Sequence, residues 1–254
     1  MPSLWDETRV GMFETIRVVS GRPVAWAAHW ARLQASQQTV GRPQPPPQLE
    51  QQLLRAIRRL PHSVRGARIA VSTTAGDPTV EAQVLPRRRG RSVASWRRGI
   101  EVVTAAGRQE APAAVPSQIK SRERLTGVLA RGAGPSSAGE IVWRNAQGVM
   151  TEGTMSNLFI VRRGQLITSP TWSGLLPGIM RAEILRAARR LKIPVVEQPF
   201  TRHELFTASE AFMSNSLMGI VPVRVADGRR IGPRCPGVIT QRLRRAAVAR
   251  TGKG

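Results

Sequence analysis

The sequence predicts an α+β fold with mixed sheets, divided into two domains. Strand-like segments rich in β-branched residues alternate with amphipathic helical segments in both halves of the chain. Between the halves runs Gly107 to Pro116 (GRQEAPAAVP), which has two prolines and no periodicity. The reading therefore places a small N-terminal α+β domain at 1–107, a linker at 108–117 and a larger domain at 118–254. A chain of 254 residues, 41% of them hydrophobic, can build a core of ordinary size in such domains.

Each element has a local reason. Gly11 to Ser20 (GMFETIRVVS) has strand composition and stops at the turn signal Gly21-Arg22-Pro23. Ala27 to Thr39 is helical in composition, and GRPQPPPQ after it is a Pro-rich connector. Leu49, Leu53, Leu54, Ile57 and Leu60 recur at helical spacing, and Pro61 ends that helix. Arg68–Thr73, Val80–Leu85 and Ile100–Ala105 read as strands. Beyond the linker come a helix near Arg122–Arg131 and strands at Glu140–Arg144 and Asn157–Val161. A helix from Ile179 to Leu191 follows, then strands at Val195–Gln198, Glu210–Met213 and Ile220–Val225, the Asp227-Gly228 turn, and a basic helix over Val238–Ala249.

The charge needs separate treatment. With 39 Lys+Arg against 16 Asp+Glu, the formal net charge is +23, which invites a nucleic-acid reading. The basic residues are almost all arginine, spread in pairs along the whole chain, and there is no tyrosine to stack on bases. This is a surface habit rather than a binding groove, so nucleic acid is not the expected partner; the field still attracts small anions. No stretch reaches the apolar length of a membrane span, and MPSLWDETRV lacks the features of a secretory signal. The single cysteine, Cys235, excludes an internal disulfide framework and points to the cytoplasm. The three histidines lie far apart without metal-ligand spacing, so no metal site is expected.

Against this background Lys120 stands out. It is one of three lysines in an arginine-dominated chain, and an amine can lose its proton on burial and act as a nucleophile where a guanidinium cannot. A surface lysine would look the same in isolation, so the neighbouring motifs decide its weight.

Those motifs are TEGTMSNLF from Thr151, LLPGIMR from Leu175 and SEAFMSNS from Ser209, with FETIRV and HWARLQAS nearer the N-terminus. In this order the chain resembles the fold-type IV pyridoxal-phosphate enzymes: branched-chain aminotransferase, D-amino-acid aminotransferase and aminodeoxychorismate lyase. The resemblance runs from about Gly11 to Gly237. It implies a small N-terminal α/β sandwich, a larger C-terminal pseudo-barrel, pyridoxal 5'-phosphate as cofactor and a homodimer.

It also implies a set of site residues. Lys120 (IKSRERL) corresponds to the Schiff-base lysine and proton shuttle. Glu152 corresponds to the carboxylate that pairs with the pyridine nitrogen and keeps the ring an electron sink. Gly178, Ile179 and Met180 open a helix after Pro177, where main-chain N–H groups suit a phosphate. Ser216 corresponds to a hydroxyl ligand of the phosphate, Arg32 to its arginine, and Leu176 to the aliphatic residue on the cofactor ring.

Within the family, two features favour the lyase that converts 4-amino-4-deoxychorismate to p-aminobenzoate and pyruvate in folate biosynthesis. Branched-chain enzymes carry a tyrosine shortly after the lysine, whereas this chain has no tyrosine and Arg124 stands near that position. Thr15 replaces their glycine, and in the lyase a threonine there is associated with proton transfer. The alternative is an aminotransferase of branched-chain or D-amino acids. Arg68, Arg122 and Arg124 are candidates for the carboxylates of a small anionic substrate. The chain departs from the family in having Arg9-Val10 before the FE pair and Thr73-Thr74 after the strand RIAVS.

Overall fold

The structure, a computed structural model, describes residues 12–39, 41, 44–60, 66–74, 77–84, 98–107, 119–120, 132, 134–135 and 137–251. Side chains of 66–74, 77–84 and 248–251 are outside that description. The expected linker at 108–117, the expected helix near Arg122–Arg131, and the candidate side chains Arg68, Arg122 and Arg124 all lie outside the described residues.

The chain divides into two compact units. The first holds Met1–Arg88 with Ile119–Arg124 and Thr251–Gly254, the second Arg89–Gln118 with Leu125–Arg250. The division thus differs from a simple split at 1–107: the strand Ile100–Thr104 belongs to the second unit because both its sheet neighbours are there.

In the first unit, β1 (Met12–Val19) and β2 (Arg22–Pro23) form a tight hairpin, followed by α1 (Trp26–Thr39) and α2 (Pro47–Arg58). β3 (Gly66–Thr74) and β4 (Asp77–Val84) complete a sheet of order β2-β1-β3-β4, antiparallel throughout. Ser20 and Gly21 take φ of 49° and 73°, the positive values that a tight hairpin turn requires. α2 begins inside the expected connector, with a proline in its first turn, Glu50 nearby and arginines in its last turn, which suits the helix dipole. Leu49, Leu53 and Ile57 bury its apolar face with Met12, Ile16, Val18, Trp30, Leu33 and Ile119. β1 alternates with period two, and Glu14 occupies a core position among those apolar residues.

Among the described residues, the second unit is built from a nine-stranded mixed sheet. Its strands are β5 (Ile100–Thr104), β6 (Glu140–Arg144), β7 (Met150–Gly153), β8 (Asn157–Arg162), β9 (Gln165–Thr168), β10 (Val195–Glu197), β11 (Glu210–Asn215), β12 (Gly219–Ala226) and β13 (Arg229–Arg230). The order is β10-β9-β8-β11-β12-β5-β6-β7, with β13 paired to β12 off this path and β7 pairing back onto β8, so the run from β8 to β7 closes into a barrel. Among the described residues, the α+β class and the barrel-like second unit agree with expectation.

β8 is buried on both faces. Leu158 and Ile160 join Val102, Val142, Met150, Met213 and Val223 in one cluster, while Phe159 and Val161 face α3 (Ile179–Arg190) in another. Phe159 stacks on Phe212 of β11 at 4.8 Å between centroids, directly across the ladder. A short α4 (Arg202–Phe206) carries a capping box from Thr201 and Glu204, and α5 (Val238–Thr251) covers the α3 side of the sheet with Leu243 and Ala247. β7, β9 and α4 are elements the sequence pattern did not announce. Among the described residues, no helix is long and apolar enough to cross a membrane.

Candidate active site

In the first unit, Lys120 is bound into the edge of β1. Its carbonyl accepts the Phe13 N–H at 3.0 Å, and its Nζ lies over the Phe13 ring, 4.8 Å from the centroid. Strand alternation sends Phe13 and Thr15 to one face of β1 and Glu14 to the other, so Thr15 shares the strand face that Lys120 approaches. Arg32 rises from α1 on the opposite side. Its Nε donates to Glu14 Oε1 at 2.8 Å and its Nη2 to Glu14 Oε2 at 2.6 Å, a two-point fork. His29 Nδ1 meets the same Oε2 at 2.6 Å. Burial alone would raise the pKa of Glu14. The hydrogen bonds from His29 and Arg32 and their charges outweigh it, holding the carboxyl at about 2 against an ordinary 4.5.

In the second unit, Glu152 lies on β7 and is 3% exposed. Its Oε2 accepts from Asn157 Nδ2 at 3.3 Å and from the Leu176 N–H at 3.1 Å, and Asn157 Nδ2 also donates to the Leu176 carbonyl at 3.0 Å. The Glu152 carboxylate therefore faces the turn that leads into α3. Gly178 is the residue before that helix, with φ −67° and ψ 135°, and among the described residues no side chain caps the first turn. A Cβ at Gly178 would stand 2.0 Å from Asn157 Oδ1, so only glycine allows this approach. Ile179 and Met180 supply the first N–H groups of α3, while the Met180 side chain packs into the core beneath.

Ser216 follows β11 in a turn organised by Asn215, whose Oδ1 accepts from the N–H groups of Leu217 at 3.1 Å and Met218 at 2.8 Å. Asn215 Nδ2 donates to the Met155 carbonyl at 3.2 Å, fastening this turn to the TEGTMSN loop. The same loop is held from below by buried Glu140, which accepts from Thr154 Oγ1 at 2.6 Å and Ser156 Oγ at 2.8 Å.

The second unit thus brings together Glu152, Leu176 and the Gly178–Met180 helix start through Asn157, and links the Ser216 turn to the TEGTMSN loop. The first unit brings together Thr15 and Lys120 along β1 and fixes Arg32 against Glu14. Glu14, His29, Glu140, Asn157 and Asn215 were not singled out from sequence. Glu14 interrupts an apolar period and Asn157 sits inside the quoted motif, and these were the available signals.

The donor set suits pyridoxal phosphate. A buried carboxylate can face a protonated ring nitrogen, and an uncapped helix start beside a glycine cradle suits a phosphate. Ser214 Oγ adds to this. It is fully buried without a hydrogen-bond partner among the described residues, directly opposite Asn157 in the β11–β8 ladder.

These are features of a pyridoxal-phosphate enzyme. The sequence matches the amino-transferase class IV family over residues 11–226, and the chain belongs to that family. The branched-chain-amino-acid aminotransferase of Escherichia coli is 35% identical over 150 residues, which cover 58% of this chain and 48% of that protein. The chain spans about half the length of the curated relatives it matches. Among solved structures, the 4-amino-4-deoxychorismate lyase of Pseudomonas aeruginosa superposes with a TM-score of 0.83 at 26% identity, covering 94% of this chain and 92% of the other. A hypothetical aminotransferase from Mycobacterium tuberculosis, in its pyridoxal-phosphate-bound form, gives 0.84 at 25% identity, covering 96% and 89%.

Proposed function

We propose that the chain is a pyridoxal-phosphate-dependent lyase that converts 4-amino-4-deoxychorismate to p-aminobenzoate and pyruvate, a step of folate biosynthesis. The observation that carries this reading is Thr15 on the strand face approached by Lys120, two residues from the Phe13 ring over which Nζ lies. A hydroxyl and an amine on one face suit an elimination that must move a proton to a leaving group. The absence of tyrosine from the chain supports the same choice.

Roles are assigned by unit. In the first, Lys120 is the Schiff-base lysine and proton shuttle, Thr15 assists proton transfer, and Arg32 is the arginine of the phosphate. In the second, Glu152 holds the pyridine nitrogen, the N–H groups of Gly178, Ile179 and Met180 with Ser216 hold the phosphate, and Leu176 packs on the ring. The cofactor, when bound, supplies an electron sink for the pair released at the substrate carbon. Lys120 takes the proton from the ring carbon that bears the amine. The freed C–H pair becomes a ring double bond as the C–O bond to the enolpyruvyl group breaks. The Thr15 hydroxyl is placed to relay a proton to the departing fragment, which leaves as pyruvate. The substrate is a small anion, and a cytoplasmic homodimer completes the proposal.

A second reading is amino transfer from branched-chain or D-amino acids, and its branched-chain form has support in the names of the curated relatives. One assay separates the two. Purified protein is given aminodeoxychorismate and scored for pyruvate, and separately given glutamate, D-alanine or leucine with keto acids and scored for amino transfer. Elimination is expected; transfer without elimination rejects the lyase.

A further inference from the structure

Resting on the reading of Arg32 as the arginine of the cofactor phosphate, we infer that Glu14 is the positioning residue that aims its guanidinium. Glu14 stands on β1 where the period calls for an apolar residue, between buried Met12 and Ile16. An apolar side chain there would serve stability as well, since a buried ion pair costs desolvation that its attraction only partly returns. What the carboxylate adds is geometry. Pairing through Nε and Nη2 at 2.8 and 2.6 Å fixes the guanidinium plane and turns Nη1 away from Glu14. His29 at 2.6 Å from Oε2 restrains the carboxylate in turn. The Arg32 side chain is 11% exposed and that of Glu14 3%, so the fork is held inside the unit and its rotamer freedom is spent on folding instead of on binding.

The sign of the effect separates this role from electrostatics. Glu14 is a negative charge beside an arginine meant for a dianion, so charge alone predicts that removing it tightens phosphate binding. Positioning predicts the reverse.

The test uses the full chain freed of cofactor and reads quenching of tryptophan fluorescence by pyridoxal 5'-phosphate and, separately, by pyridoxal, which lacks the phosphate. Glu14→Gln is expected to weaken pyridoxal 5'-phosphate about 10-fold while leaving pyridoxal unchanged. Unchanged or tighter phosphate binding, or an equal loss for both compounds, overturns the inference. Glu14→Asp retains the charge but is shorter by one methylene, so it carries the test where Gln does not fold; several-fold loss confined to the phosphate compound is expected, and full retention of that preference overturns the inference. Arg32→Met should abolish the preference, and adding Glu14→Gln to it should cost nothing more. If Arg32→Met keeps the preference, the reading of Arg32 fails; if only Glu14→Gln keeps it, the role of Glu14 fails alone.

Discussion

Glu14 of the first unit and Glu152 of the second are both buried, and the donors that reach them differ. Glu14 receives a guanidinium fork and an imidazole, both able to carry positive charge. Glu152 receives hydrogen bonds from a side-chain amide and a main-chain N–H. Neutral dipoles orient a carboxylate without cancelling its charge, whereas an arginine fork cancels it. The first set of bonds ties a carboxylate to the guanidinium of another side chain; the second ties one to the turn that leads into α3.

The largest expected effect lies at Glu152. Glu152→Gln preserves size and acceptance from the Leu176 N–H but removes the charge, and kcat should fall by about 10²–10³-fold with the fold intact by circular dichroism. Equal losses in Glu14→Gln at saturating cofactor would break the comparison, since a positioning residue should spare kcat once the cofactor is bound. Next comes Gly178→Ala. Its Cβ meets Asn157 Oδ1, so the Asn157 bridge to Glu152 must shift, and a loss of about 1–3 kcal/mol in denaturant unfolding is expected.

The third effect is a pH dependence. The Glu14 carboxyl is held at about 2 in the folded chain against an ordinary 4.5. A lowered value means its contribution is fully present above the unfolded value and disappears as pH falls from about 4.5 towards 2. Glu14→Gln should flatten the stability profile across that window, measured by thermal melts; an unchanged slope would count against the ion pair. The smallest effect is Thr201→Ala. It removes the capping box of α4, should cost about 1 kcal/mol, and should leave cofactor affinity untouched.

Much of this was readable from the chain, and the failures have physical causes. Long periodic segments such as α2 and α3 announce themselves, and β1 ends at a turn whose positive φ values the Ser20-Gly21 pair accepts. β7 and β9 are four residues each, too short for a period to register, and both are stabilised by partners elsewhere in the sheet. The placement of β5 in the second unit depends on parallel pairing with β12, a contact across more than a hundred positions that no local pattern encodes. The site divides similarly. Lys120, Glu152 and Gly178 could be named from motif and residue chemistry. Asn157 as a bridge and Glu14 as the holder of Arg32 became visible only with distances.

The barrel closes where β7 meets β8, and the residues paired at that join are Glu152 and Asn157. The seam of the ring and the carboxylate assigned to the ring nitrogen are the same place. A ligand that engages Glu152 acts on the staves at their point of closure, and mass action then transmits its affinity to the whole hoop. Loading the protein with cofactor should accordingly slow hydrogen exchange at amides around the entire circle of strands, including those distant from any ligand atom.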